Sequence, residues 1–506
     1  MRQFSLWLFV VVQIFLGQKF TIAQIVTPSV IQLTPLMERE ICPRDLVSQI
    51  DAIINRPQYS RSHWGILLQP VDSPTPLYSL NAEKNFVPAS NVKLLIAAAA
   101  LLKLTPDYRF RTSIYRHNKT ITVVGRGDPT LTTSQLETLV EQLKEQGIKK
   151  INHLIIDASY FPETSLNPSW EWSDLYTSYG VAASSFNLNE NYVTLTLVPQ
   201  KLGQPVKLIW SDPLAGKQWQ LENQSLTVAK DTNSKINITG NFTNNILKIQ
   251  GQLPINYEGD RWEIAIPNLN QYFLDSLVAI LLKQGIKVNK VSLSNEINQN
   301  LGKEIAAIES EKLSIVITKM NQDSNNLYAE TLLKSLGKIA NSDDPIKVVQ
   351  QTLKEIGINP EKYHLTDSSG LSRQNLVSPE VIGKTLTLML STPVGVIYRE
   401  SLAKAGINGT LKNRFANTPL VDMLTGKTGT LTGVSALSGY LESPEFPPLV
   451  FSIIVNQSDQ SGKDLRQVID EIMLLTHNFW KNYSSQSNEN REKCYSKRSG
   501  YNQAIE

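Results

Sequence analysis

The texture of this sequence changes twice along its length, and nothing else in it constrains the fold as strongly. From Arg44 to Arg56 apolar residues recur at helical spacing. "HWGILLQP" then reads as a strand, "VDSPTPLYSL" as a Pro-rich turn, and residues 91–103 as a buried helix. After "YRFRTSIY" the chain becomes a series of short alternating strands, among them "YVTLTLVP", "PVKLIW", "SLTVAK" and "ILKIQGQL". Asn-, Gly- and Ser-rich turns separate them, and a few helices such as "TTSQLETLVEQLKEQG" and "LDSLVAILLKQG" intervene. Beyond 311 long helical periods return in "SNNLYAETLLKSLGKIA", "PIKVVQQTLKEIG" and "SPEVIGKTLTLMLS". The strands "SALSGYLES" and "PLVFSIIVN" and a helix over 463–481 complete this stretch. It resembles residues 44–116 more than it resembles the middle. The economical reading is one α/β (α+β) domain in two pieces, 24–116 and 311–482, interrupted by an inserted β-rich region over 117–310.

The two ends read differently from the rest. "MRQFSLWLFVVVQIFLGQKFTIAQ" has a basic start at Arg2, an apolar stretch from Leu6 to Leu16 and a small-x-small pattern ending at Ala23. Residues 1–23 are therefore expected to be a signal peptide. A membrane anchor is the alternative, but the stretch is short for a span and is interrupted by Gln13. Either reading implies export, and apart from such an anchor membrane contact is expected to be at most peripheral. Residues 483–506 are polar with little apolar content and are expected to be a disordered tail.

Charge and cysteine content exclude several classes of function. The formal net charge is +3, and loss of residues 1–23 removes Arg2 and Lys19 and no acid, so no basic surface argues for nucleic acid. The two cysteines, Cys42 and Cys494, are too few for a disulfide scaffold and lie in no metal-ligand spacing. In an oxidising compartment they could pair, or they are two unrelated thiols. The five histidines are scattered, so no metal site is expected.

Chemistry concentrates in three short motifs. In "PASNVKLLIAAAALLKL", Ser90 opens an apolar helix and Lys93 shares its face one turn on. A lysine among apolar neighbours loses hydration, its pKa falls, and the neutral amine can take a proton from a nearby serine. Taken alone the pair could be a helix cap and a snorkelling surface residue. The same SxxK spacing recurs at Ser335 and Lys338 inside an amphipathic helix, where it is expected to be structural. Ser90 is distinguished by two motifs further along the chain: Ser324-Asn325-Asn326, then Lys427-Thr428-Gly429, a KTG that occurs once. A serine hydrolase acting beside a free carboxylate needs a nucleophile, a base, a proton relay and a cation. Ser90, Lys93, Ser324 and Lys427 supply one each.

SxxK, SxN and KTG in that order belong to penicillin-binding proteins and serine β-lactamases. A narrower resemblance rests on "PASNVKLLIAAAALLKLTPDYRFRT", "GRGDPTL", "SNNLYAETLLKSLG", "DSSGLSRQNLVSP", "GINGTLKNRF" and "GKTGTLTGVSALSGY". Together they resemble the D-alanyl-D-alanine carboxypeptidase/endopeptidases, the class C low-molecular-mass penicillin-binding proteins, over nearly the whole mature chain. The resemblance implies a penicillin-binding-protein/serine β-lactamase-like transpeptidase fold with a large insertion between SxxK and SxN. It also implies hydrolysis of peptidoglycan stem peptides ending in D-Ala-D-Ala and of cross-links in a bacterial wall, without a cofactor, and acylation by β-lactam antibiotics.

Carried over residue by residue, it implies Ser90 as the acylated nucleophile, Lys93 as its base and Ser324 as the relay. Asn326 would meet the substrate amide, while Lys427 with Thr428 and Thr430 would hold the terminal carboxylate. The KTG strand includes Gly429, and the backbone N–H groups of Ser90 and Thr430 would form the oxyanion hole. Arg373 and Asp157 match positions that contact the charged end of a diaminopimelate side chain, although each read alone is an ordinary surface charge. Asp128 and Pro129 in "GDPTL" read as a structural turn. The chain departs from the family at Ser368, where glycine is common, so a locally different loop is expected there. Two rival functions fit less well: a β-lactamase, for which no deacylating Glu motif is recognisable, and a non-catalytic penicillin-binding wall sensor or scaffold, against which the intact side chains argue.

Overall fold

The computed structural model describes residues 42–161, 166–296 and 300–486. The expected signal peptide, Cys494 and nearly all of the expected tail lie outside the described residues. A six-stranded antiparallel sheet joins the two ends of the described chain. Its strand order is Ala403–Lys404, Leu424–Leu431, Val434–Ser443, Phe446–Asn456, His63–Pro70 and Tyr78–Leu80. Strand His63–Pro70 pairs with Phe446–Asn456 from His63↔Asn456 to Pro70↔Leu449. Residues far apart in sequence thus share one sheet.

Both faces of this sheet are covered, which is why its inner strands read as nearly continuous apolar runs rather than alternations. Helices Pro43–Ile54 and Gly462–Ser484 pack on one face, around Leu46, Ile50, Ile453, Leu465, Ile469 and Ile472. Ser461 caps the second helix by accepting from Asp464 N, and its apolar stripe runs on through Trp480 and Tyr483. The helix therefore extends to Ser484, past the expected boundary at 482, because that stripe is buried against the sheet.

On the other face helix Val92–Leu104 is surrounded by helices Leu313–Gln322, Asn326–Ile339, Pro345–Glu355 and Pro379–Leu390. Only Leu102 and Lys103 of its thirteen residues escape full burial. A helix apolar all round has to occupy such a central position. Lys93 is buried with it, whereas Lys103 in its last turn is exposed.

The middle of the chain builds three more sheets. A five-stranded sheet has the order Lys287–Ser294, Lys150–Asp157, Thr120–Val124, Arg111–His117 and Lys303–Glu309, its first three strands parallel, with helices Thr133–Glu145 and Leu269–Lys283 in the same core. Two three-stranded sheets lie between residues 192 and 265. Strand Arg111–His117, expected in the outer domain, pairs with Lys303–Glu309 instead. Its other partner, Thr120–Val124, follows across the two-residue turn 118–119, so the inserted sheet begins before the change of texture at 117 that the sequence shows. The excursion opens and closes at one point: Ser310 N donates to Phe110 O at 2.9 Å, and Phe110 N donates to Ser310 Oγ at 2.9 Å.

Candidate active site

The segment before Ser90 is held by an amide side chain. Asn456, at the end of a central strand, accepts from Val87 N at 2.7 Å and donates to Val87 O at 3.0 Å, as a paired strand would. Next comes Ala89 with a left-handed φ of 47°, a conformation costly for alanine, and then the turn Ala89–Asn91 that opens the apolar helix. Asn91 is buried and donates to Ser438 Oγ at 2.7 Å. Two glycines let the backbone close around this turn. A Cβ on Gly429 would stand 2.9 Å from Pro88 O and 3.1 Å from Ser90 N, and one on Gly370, whose φ is +82°, only 2.0 Å from Ala89 O. The KTG strand and the 367–372 loop thus flank Ser90 at backbone distance.

Lys93 is fully buried, and its Nζ lies 3.0 Å from Ser90 Oγ and 2.6 Å from Asn326 Oδ1, with Ser369 O as a third partner. Desolvation lowers its pKa to about 7, against the opposing pull of Asp367 and Glu330. An ammonium donates to all three oxygens; the neutral amine keeps one lone pair, which the Ser90 hydroxyl can then address. That geometry suits a base for the serine.

A second lysine lies across the cleft. Lys427 Nζ donates to Ser324 Oγ at 2.7 Å and to Thr428 O at 2.9 Å. It too is fully buried, and its pKa is held well below the usual lysine range, first by desolvation and then by the charge of Lys93. An incoming carboxylate would reverse that depression, so binding an anion here favours the ammonium. Ser324 has a left-handed φ of 61° and precedes Asn325, which caps helix Asn326–Ile339 by accepting from Tyr328 N. Asn326 spends Oδ1 on Lys93 and donates Nδ2 to Tyr179 O at 2.8 Å, so the inserted region borders the site. Thr428 Oγ1 donates to Thr410 Oγ1, while Thr430 is exposed.

The structure thus brings together two hydrogen-bonded groups in one cluster, Ser90 with Lys93 and Asn326, and Ser324 with Lys427, near enough for the charge of Lys93 to act on Lys427, with the Gly429 backbone against Ser90. Arg373 stands at its margin: its guanidinium donates to Thr432 O at 3.0 Å and pairs with Glu171. Asp157 is buried at the end of a strand of the five-stranded sheet and accepts from Ser159 N, a contact outside the cluster. Asp128 accepts from both Thr130 N and Thr130 Oγ1, which makes a side-chain-closed turn. Ser335 is buried inside its helix and donates to Thr331 O, while Lys338 lies over the Tyr160 ring. Ser368 has an ordinary negative φ, so its backbone does not require the glycine common there.

Two acids were missed by the sequence reasoning. Asp367 is buried and accepts from Gly370 N, Ser372 N, Asn375 Nδ2, Ser369 Oγ and Trp170 Nε1. Glu330 is buried one helical turn beyond Asn326, and its Oε1 accepts from Ser368 N and Ser369 N at 3.1 and 2.9 Å. The available signal was an acid four positions from Asn326 on an otherwise apolar helix face. Among the described residues no group of His, Cys, Asp and Glu could hold a metal ion.

Compared with known families, residues 46–477 match the D-Ala-D-Ala carboxypeptidase 3 (S13) family. The chain belongs to that family. Its S13 relatives include a penicillin-sensitive carboxypeptidase A of Dictyostelium discoideum, 27% identical over 497 residues that cover 86% of this chain and 92% of the relative. The D-alanyl-D-alanine carboxypeptidase of Actinomadura sp. (strain R39) is 28% identical over 449 residues, 81% of each chain. The crystal structure of penicillin binding protein 4 from Haemophilus influenzae superposes with a TM-score of 0.75 at 24% identity, covering 85% of this chain and 99% of that one. That likeness shows a shared fold, the penicillin-binding α/β fold. S13 members are serine-type D-Ala-D-Ala carboxypeptidases, and the chain is an enzyme of that class.

Proposed function

We propose that this S13 enzyme hydrolyses D-Ala-D-Ala stem peptides, and cross-links that keep a carboxylate beside the cut, through an acyl-enzyme on Ser90. The observation that carries the reading is the buried Lys93 amine 3.0 Å from Ser90 Oγ. Lys93 takes the hydroxyl proton as Oγ bonds to the carbonyl carbon of the penultimate D-Ala. The carbonyl oxygen's charge is met by the N–H groups of Ser90 and Thr430. The peptide C–N bond then breaks as Ser324 relays to the departing amine the proton that Lys93 took up; water then gives a proton to Lys93 as its oxygen bonds to the acyl carbon, and Lys93 returns that proton to Ser90 as the ester breaks.

Lys427, with the Thr428 and Thr430 hydroxyls, holds the terminal carboxylate. Asn326 meets the substrate amide by giving up its contact with Tyr179 O. Arg373, at the margin, faces the distal charge of a diaminopimelate side chain after exchanging Glu171, and Asp157 is assigned to the same side chain by resemblance. Residues 111–309 are an accessory region whose ends meet at Phe110 and Ser310. Residues 1–23 direct export to the periplasm or wall space. Among the described residues no helix is long and apolar enough to cross a membrane.

A β-lactam places its strained amide where the scissile bond would lie, and the acyl-enzyme keeps its leaving group tethered. Benzylpenicillin should therefore add one drug mass to the peptide containing Ser90. An adduct on Ser335 instead, or no adduct, would overturn the assignment. Mass spectrometry of muropeptides after incubation with the mature protein reads which bond is cut.

A further inference from the structure

We infer that Glu330 is a positioning residue for the Ser90–Lys93 pair, acting through Ser369 and through its own negative charge. The inference rests on the reading of Ser90 and Lys93 given above and extends it to a residue that contacts neither side chain by hydrogen bond. Ser369 is held at both ends: its N–H donates to Glu330 Oε1 at 2.9 Å, and its carbonyl accepts from Lys93 Nζ and from Ser90 Oγ. Ser368 N donates to the same Oε1. Movement of the Glu330 carboxylate therefore moves the carbonyl that fixes the lysine and the serine together. Asp367 secures the rest of the loop from the other side, through Gly370 N and Ser372 N, and is itself reached by Trp170 from the inserted region.

Glu330 sits where it does because Asn326 and Glu330 are four residues apart on one helix. The same helix face presents an amide to Lys93 and an acid to the loop behind it. The groups facing the pair are Glu330 from this helix, Asp367 from the loop and Lys427 from the KTG strand; Lys334, one turn further along, instead donates to Ala183 O. Burial and the nearby Asp367 push the Glu330 carboxyl up and its bonds to Ser368 and Ser369 pull it back, while its negative charge and the Lys93 ammonium favour each other, so the two protonations are linked.

Two variants separate the two actions of Glu330. Glu330→Gln keeps an oxygen that can accept both N–H groups but carries no charge. With one anion fewer, protonated Lys93 is less favoured and its pKa falls. The acid limb of benzylpenicillin acylation at Ser90, which reports loss of the neutral amine, should move to lower pH by about half a unit or more, with the plateau within about threefold of wild type. Glu330→Leu removes the acceptor as well and should lower the plateau by about tenfold or more. An unmoved limb in Glu330→Gln overturns the inference, as does a wild-type plateau in Glu330→Leu or an equal loss of plateau in both. Should Glu330→Leu fail to fold by thermal melting, the limb of Glu330→Gln decides alone. Absence of wild-type acylation at Ser90 overturns the reading of the site and this inference with it; normal wild-type acylation with unaltered variants overturns this inference alone.

Discussion

Replacing Lys427 by alanine tests what the second lysine is for. Its ammonium lies on the KTG strand beside Ser324 and Thr428 and is buried completely, with no acid among its hydrogen-bond partners. A carboxylate arriving there forms a charge-assisted hydrogen bond worth about 1.5 to 3 kcal/mol. At about 1.4 kcal/mol per decade, its loss should cost roughly one to two decades in kcat/KM on a peptide with a free C-terminal acid. The same peptide as a C-terminal amide offers no charge, so the variant should cost much less there. That comparison cancels the damage done by removing a partner of Ser324. Because Lys427 is held well below the usual lysine range in the empty site and raised by a bound carboxylate, binding of the acid peptide takes up a proton. KM for the acid peptide should therefore rise with pH through the range where the free-site lysine has lost its proton, while KM for the amide stays flat. Steady-state kinetics on the two peptides over a pH series reads all of this. Equal impairment of acid and amide by Lys427→Ala, or a wild type that cleaves both equally well, would refute carboxylate recognition by Lys427.

Acylation by benzylpenicillin should fall about tenfold per unit as pH drops below about 7, where Lys93 takes up a proton and can no longer serve as a base; a rate independent of pH from about 5 to 8 would remove Lys93 from that role. Asn456→Ala breaks both bonds to the Val87 backbone and should cost about 1 to 3 kcal/mol in denaturant unfolding while slowing acylation, because Ser90 lies three residues on; an unchanged midpoint with normal acylation would show that the clamp is dispensable. Limited proteolysis should nick the exposed turn at 117–119, in the accessory region, before it touches helix Val92–Leu104; early cleavage within that helix would contradict the division of the chain.

Where a local pattern decided the structure, the sequence could be read directly. The stripe of Gly462–Ser484, the all-round apolar surface of Val92–Leu104 and the both-sided burial of Phe446–Asn456 are each written within their own residues. The side chains of the cluster were legible for another reason: SxxK recurs and is ambiguous alone, but with SxN and the single KTG it falls in one fixed order along the chain. What stayed hidden depends on partners distant in the chain. Arg111–His117 lies inside the inserted sheet between Thr120–Val124 and Lys303–Glu309, and the second of these neighbours is far ahead in the chain. Asn456 ends a strand as an asparagine often does, and its clamp on Val87 exists only after the sheet has closed. Asp367 and Glu330 look like ordinary loop and helix acids until the loop folds back over Ser90. A buried acid is tolerated only when its lone pairs are filled, and here backbone N–H groups and the Trp170 and Asn375 side chains fill them. The residues proposed to do the chemistry are thus marked by type and spacing, whereas those that hold them are marked only by the three-dimensional closure that they bring about.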